Sequence, residues 1–112
     1  MKRRKHLAEF ELLVALAVLR LEDGAYGAAI RREIEDRGGR SVSIGAVYAT
    51  LARLEDDRLL VSVTSEPLPV RGGRSRKLYQ LTRAGEAVVR RSATILHRMM
   101  ESLPVIDSGT TP

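Results

Sequence analysis

Apolar residues recur at helical spacing in four stretches of the chain and at strand spacing in two. The first helical stretch covers 7–21, where Phe10, Leu13, Val14, Ala17 and Leu21 form one stripe and Leu12, Leu16 and Leu19 a second. A helix apolar nearly all round must be covered on more than one side. One small domain covers one side, so the second stripe points to a partner subunit. Glu22-Asp23-Gly24 is a turn signal. The second helix is expected at 26–37, with Ala29, Ile30 and Ile34 inward, Arg31, Arg32, Glu33, Glu35 and Asp36 mostly outward, and Gly38-Gly39 as its stop. The third is the best defined. Ser43 is a good N-cap, and Ile44, Val47, Leu51 and Leu54 follow at spacings of three, four and three. Gly45, Ala46, Ala49, Thr50 and Arg53 are assigned to its other face, and the helix should end near Asp57 or Arg58.

The period then changes. Leu59, Val61 and Val63 alternate as in a half-buried strand, and Tyr79 and Leu81 alternate in a returning one. Arg71-Gly72-Gly73-Arg74 holds a Gly-Gly pair suited to a hairpin turn, so 59–81 reads as a two-stranded hairpin with a basic tip. Thr82 caps a last helix over 83–102, with Val88, Ser92, Ile95 and Met99 in one seam widened by Leu96, Met100 and Leu103. No later element is available to cover that seam. Pro104 ends the helix, and the small polar tail is read as disordered. The expected organisation is a basic N-terminal arm at 1–6, a folded domain at 7–81, a dimerisation helix at 82–103 and a tail at 104–112. The fold class is mainly α with a two-stranded β wing.

Three helices followed by a hairpin is the order of a winged helix-turn-helix, in which the second helix of the motif enters the DNA major groove. That helix is the one capped by Ser43. Ala46 and Ala49 can touch thymine methyls, Thr50 can hydrogen-bond a base, and Arg53 can reach a phosphate or a guanine. Arg71, Arg74, Arg76 and Lys77 fall within seven residues with no acid among them, which suits phosphate or minor-groove contact by a wing. Tyr26 opens the second helix, where a hydroxyl and helix N-terminal N–H groups can bind a phosphate, and the Tyr48 hydroxyl is placed to reach DNA. The plain alternative for each group is a solvated helix face or a solvated charge run, and the basic arm Lys2 to Lys5 is read more simply as a solubilising start.

Charge adds to this picture. A net charge of +5 and a pI of about 10.2 favour a polyanionic partner, whether DNA, RNA or an anionic membrane. The chain has no cysteine, so disulfides, thiolate nucleophiles and Cys-based metal sites are excluded. His6 and His97 are isolated and fit no metal spacing. Ser41, Ser43 and Thr82 lack a His/Asp arrangement, Glu55-Asp56-Asp57 reads as a solvated helix end, and Gly72-Gly73 lacks the flanks of a P-loop. No catalytic residue, metal or cofactor is expected. The apolar run Leu12 to Leu19 is too short to span a bilayer; neither a membrane partner nor a signal peptide is expected, and the location is taken as cytoplasmic, on the nucleoid. With four aromatics (Phe10, Tyr26, Tyr48 and Tyr79), a stacking platform for single strands is disfavoured.

Four segments together resemble the PadR family of transcriptional regulators: Tyr26-Gly27 with Ile30; Ser43-x-Gly45-x-Val47-Tyr48-x-x-Leu51-x-Arg53-Leu54-Glu55; Arg71-Gly72-Gly73-Arg74; and Tyr79-x-Leu81-Thr82-x-x-Gly85. The resemblance covers about 7–100. It implies dimers that usually repress transcription and that join through their first and last helices. It places Ser43, Gly45, Ala46, Tyr48, Ala49 and Thr50 on the groove side, Tyr26 against phosphate, and Arg71 and Arg74 in the wing. This chain is similar to the short branch, with one C-terminal helix. Two positions depart from the pattern. Arg58 stands where many relatives have glycine, and tryptophan is absent, so the drug-binding mode of some short members does not carry over.

The expected function is therefore a homodimeric regulator, a repressor, reading a palindromic duplex. Its DNA-contacting residues are Tyr26, Ser43, Gly45, Ala46, Tyr48, Ala49, Thr50, Arg53, Arg71, Arg74 and Arg76. Its dimer interface is expected at Phe10, Leu12, Leu16, Leu19, Val88, Ile95, Leu96, Met99, Met100 and Leu103. The identity of any small-molecule effector is not readable from the chain. The alternative is a winged-helix interaction module that regulates a partner protein without DNA, and a weaker one is RNA binding.

Overall fold

The computed structural model describes residues 6–64 and 76–107. Helix α1 spans Glu9–Leu21, a 3₁₀ turn follows at Glu22–Gly24, and α2 spans Gly27–Gly38. Helix α3 covers Ile44–Asp56, strands β1 and β2 cover Leu60–Thr64 and Lys77–Leu81, and α4 runs Arg83–Met100 before a short α5 at Pro104–Asp107. The expected order is present. The start of α1 falls two residues later than read: Ala8 is its N-cap, in extended backbone, and the Leu7 N–H before it donates to the Ser92 hydroxyl at 2.9 Å. The Glu11 carboxylate then accepts from the Ala8 N–H at 2.9 Å, satisfying a donor that the helix start leaves open. Gly39 stops α2 with φ +66, where a Cβ is disfavoured.

The core gathers Val14, Ala15 and Val18 of α1, Ile30 and Ile34 of α2, Val47, Leu51 and Leu54 of α3, then Leu60, Tyr79, Leu81 and Val88. Strands β1 and β2 pair antiparallel, with Leu60 opposite Leu81 and Ser62 opposite Tyr79. That register overturns one expectation. Directly opposed residues share a face, and Tyr79 and Leu81 are buried, so Leu60 and Ser62 face the core. Val61 and Val63 therefore point outward and are exposed. The inward positions of the hairpin begin at the Leu59-Leu60 pair, which breaks the simple alternation.

A single bridge joins Tyr26 to Leu78, and the Tyr79 N–H donates to the Ala25 carbonyl at 2.9 Å. The segment before α2 thus adds a rudimentary strand to the wing base. Helix α4 runs antiparallel to α1: Glu86 shares a cleft with Leu19 and Glu22 at the end of α1, while Ser92 meets Leu7 at its start. Beyond Ser92, α4 projects past α1, and Ile95, Leu96, Met99 and Met100 are exposed. The 104–112 segment was expected to be irregular throughout; Pro104–Asp107 instead forms a helical turn. The arm at 1–5, the hairpin tip at 65–75 and the tail at 108–112 lie outside the described residues.

Candidate nucleic-acid interface

Helix α3 starts where its sequence says it should. The Ser43 hydroxyl accepts from the Ala46 N–H at 3.0 Å. Its outward face carries Gly45, Ala46, Tyr48, Ala49, Ala52 and Arg53, all exposed. Small side chains at these positions let the backbone approach base edges closely. Ala52 was not singled out from the sequence, although its place three residues after Ala49 puts it on the same face.

Thr50 does not belong to that face. Its exposure is 2%, and it lies in the buried stripe with Val47, Leu51 and Leu54. The reason is angular: Thr50 is three residues after Val47, about 60° around the helix, still within a buried arc of more than 100°. A buried threonine cannot touch a base. The expectation for Arg53 also changes. Its Nε donates to the Glu11 carboxylate at 3.3 Å and its Nη2 to the Thr50 hydroxyl at 3.4 Å. The Arg53 side chain is 54% exposed and that of Glu11 7%, so the guanidinium closes a mostly buried carboxylate and joins α3 to α1. Glu11, on a helix read as apolar, was missed because its partner is 42 residues away.

The start of α2 meets α3 and the wing at one place. Gly27 leaves no room for a Cβ: the Tyr48 ring lies across that position. Tyr48 is 47% exposed, so its ring packs on α2 while part of it stays open. Tyr26 is the N-cap residue of α2, and the Arg76 guanidinium stacks over its ring at 4.2 Å. Tyr26, Tyr48 and Arg76 are thereby brought together at the α2 start. Arg71 and Arg74 lie outside the described residues.

Glu55, read as part of a solvated helix end, instead braces the wing. It accepts from the Ser62 hydroxyl at 2.7 Å and pairs with the Lys77 ammonium at 3.7 Å. Lys77 is thus engaged by α3 at the wing base. Burial, and then the charges of Glu55 and Tyr48, push the Tyr79 phenol above its ordinary pKa, which keeps it protonated. Glu35 of α2 reaches the loop between α2 and α3 and accepts from the Val42 N–H at 3.1 Å. That hydrogen bond, helped by Arg31 and Ser41, holds its carboxyl below the usual range.

The residues expected at a dimer interface divide. Leu12 and Val88 are buried in the protein's own core and are unavailable to a partner. Leu12 belongs to the core side because α1 is flanked by both the helices and the sheet. Phe10 and Leu16 are half-buried, with Arg40 stacked on the Phe10 ring at 5.6 Å. Leu19, Ile95, Leu96, Met99, Met100 and Leu103 are exposed, Met99 to 71%. Among the described residues no His, Asp and Glu cluster is placed to hold a metal ion, and no helix is long and apolar enough to cross a membrane.

Residues 15–91 match the family model described as the transcriptional regulator PadR-like family. Over 68 residues the chain is 41% identical to the transcriptional regulator Rv3488 of Mycobacterium tuberculosis, a match spanning 61% of this chain and 59% of that relative. The fold is similar to a PadR family regulator from Eggerthella lenta, at 27% identity with a TM-score of 0.67, covering 92% of this chain and 88% of the other. It is also similar to one from Clostridium difficile, at 27% identity and a TM-score of 0.62, covering 87% and 98%. These relatives are transcriptional regulators and not enzymes. A model matching well over half of the chain, together with a winged helix-turn-helix built from the same segments, places it: the chain belongs to the PadR-like family of transcriptional regulators.

Proposed function

We propose that the protein is a homodimeric, sequence-specific repressor in the cytoplasm that binds a palindromic DNA duplex. The observation that carries this is the outward face of α3, where Gly45, Ala46, Ala49 and Ala52 are exposed beside the converged Tyr26, Tyr48 and Arg76. The small face enters the major groove. Ala46 and Ala49 meet thymine methyls, and Ser43 and Gly45 bring the helix start near the bases. Tyr26, Tyr48 and Arg76 sit at the α2 start, where a backbone phosphate takes hydroxyl, N–H and guanidinium donors. Arg71 and Arg74 of the wing follow the adjacent backbone. Two copies related by a two-fold axis would place recognition helices about 34–36 Å apart, one turn of B-DNA. The exposed seam of Ile95, Leu96, Met99 and Met100 supports pairing through α4.

Affinity on this reading comes chiefly from phosphates, and discrimination from the fit of a small face. The test is binding of the full chain to its own promoter region and to a random duplex of equal length, across a salt series. Retained preference for the promoter as salt rises supports the reading. Equal binding that collapses on both duplexes would remove sequence specificity. No binding at low salt would leave the same fold as a protein-interaction module.

A further inference from the structure

Helices α1 and α2 leave an open groove on the surface of the domain, about 280 Å³ in volume. Leu13, Leu16 and Ile34 form its floor, and Arg20, Glu33 and Arg37 its rim. Glu33 accepts from both arginines, at 2.9 Å from Arg20 and 3.2 Å from Arg37. Two guanidiniums on one carboxylate leave that rim net positive around an apolar floor.

The same chain carries an apolar segment with the opposite flank. The α4 seam does not stop at Met100. Ser102 turns the backbone with φ +65, and Leu103, Val105 and Ile106 continue the apolar surface, all exposed. Glu101 stands exposed immediately before them. We propose that residues 103–106 of one protomer seat in the α1–α2 groove of a second copy, with Glu101 facing the Arg20 and Arg37 rim. This rests on the dimer reading above and adds the place where the chain end is held.

The occupant is a second copy because the protein's own segment points the other way. Helix α4 is antiparallel to α1 and passes its start at the Ser92–Leu7 hydrogen bond. From Ser92 to Met100 the helix advances about 12 Å further. The groove lies in the opposite direction, with its centre near Ala17, also about 12 Å from the start of α1. The 103–106 turn spans about 6 Å and cannot return across that separation. A two-fold partner removes the difficulty, since each copy then gives one segment and receives one. Both apolar surfaces are covered by one operation, and the acidic flank of each segment meets a basic rim.

The chain contains no cysteine, so engineered cysteines report one pair without background. Arg37 and Val105 are both exposed, and changing them leaves the core intact. The full chain carrying Arg37→Cys with Val105→Cys, mildly oxidised, should give a covalent dimer on a denaturing gel, while each single variant should not. Ile106→Glu should raise the dimer dissociation constant by at least tenfold in sedimentation equilibrium, with an unchanged circular-dichroism spectrum. A dimeric wild type showing neither the cross-link nor the weakening overturns this seat and leaves the dimer standing. A monomeric wild type at all concentrations overturns the dimer reading and the seat together.

Discussion

Arg53 of α3 and Glu11 of α1 form a 3.3 Å ion pair that fixes the two helices against each other. A residue expected to read DNA is thus held from behind. If Arg53 serves mainly this pair, Arg53→Ala should cost about 1–2 kcal/mol of stability. That is less than the loss for a fully buried pair, because the arginine is half exposed and Glu11 keeps its bond to the Ala8 N–H. Removing a phosphate contact would lower the salt slope of DNA binding by about one. The expected slope is unchanged, with the midpoint of urea unfolding moved down. A lower slope at unchanged stability would instead assign Arg53 to phosphate.

Thr50 and Ala49 are neighbours in sequence with opposite surroundings. Thr50 is buried and Ala49 exposed. Thr50→Ala opens a small void in the core, at a cost of about 1 kcal/mol, and should leave discrimination between promoter and random DNA unchanged. Ala49→Glu adds a charge to the groove face while keeping a good helix former. It should lower promoter affinity by at least tenfold, with the melting temperature within a degree or two of wild type. Gel-shift titrations and thermal melts of both variants check the pair. Loss of specificity in Thr50→Ala at full stability would return that side chain to the DNA.

Local signals were legible in advance. The Ser43 and Thr82 caps, the 3, 4, 3 spacing of α3 and the glycine stop of α2 depend on residues within a turn of each other, and each sits where it was read. Positions set by distant partners were not legible. Val61 and Val63 face outward because β2 dictates the register through Tyr79 and Leu81. Glu11 and Glu55 have partners on other elements, Arg53 and Ser62, and the Tyr26–Leu78 bridge joins segments far apart in the chain. Leu12 looked like surplus apolar surface because a helical wheel does not show that α1 is packed by helices and sheet at once. The exposed face of α3 was readable except at Thr50, which lies at the edge of the buried arc, where spacing alone is least decisive.

Two glycines separate packing from function. A Cβ at Gly85 would overlap the Leu59 carbonyl, a backbone atom fixed by the Thr82 N–H, which donates to it at 3.0 Å. Gly85→Ala should therefore destabilise by about 1–3 kcal/mol. A Cβ at Gly27 would meet the Tyr48 ring, the far end of a half-exposed side chain that can swing away. Gly27→Ala should cost less stability but displace Tyr48, weakening DNA binding several-fold. Denaturant unfolding and promoter titration on the two variants should show the opposite order of effects.

Arg58 holds φ +63 just after α3, and its carbonyl accepts from the Thr82 hydroxyl at 2.9 Å. The left-handed conformation costs a non-glycine residue about 1 kcal/mol. Its side chain is exposed, so replacing it removes that strain with little packing loss. The freer unfolded chain of a glycine offsets about 0.4–1 kcal/mol of this, so Arg58→Gly should stabilise the fold by at most about 0.6 kcal/mol. For a domain of this size that is a rise of at most about 4 °C in melting temperature. A fall would mean that the arginine side chain makes a compensating contact.

Glu35 ties the α2–α3 loop through the Val42 N–H, and its carboxyl titrates below its ordinary value near 4.5. A carboxyl with a lowered folded pKa binds its proton more weakly in the native state than in the unfolded one. Its stabilising effect is therefore complete above the unfolded pKa and disappears as pH falls through the folded value. Wild-type stability should be insensitive to this group at pH 6–7 and should decline below about 4.5. Glu35→Gln keeps an acceptor for Val42 but cannot titrate. Its difference from wild type should shrink steadily between pH 5 and pH 3. A difference constant over that interval would show that the hydrogen bond, rather than the charge on Glu35, holds the loop that delivers Ser43 to the start of α3.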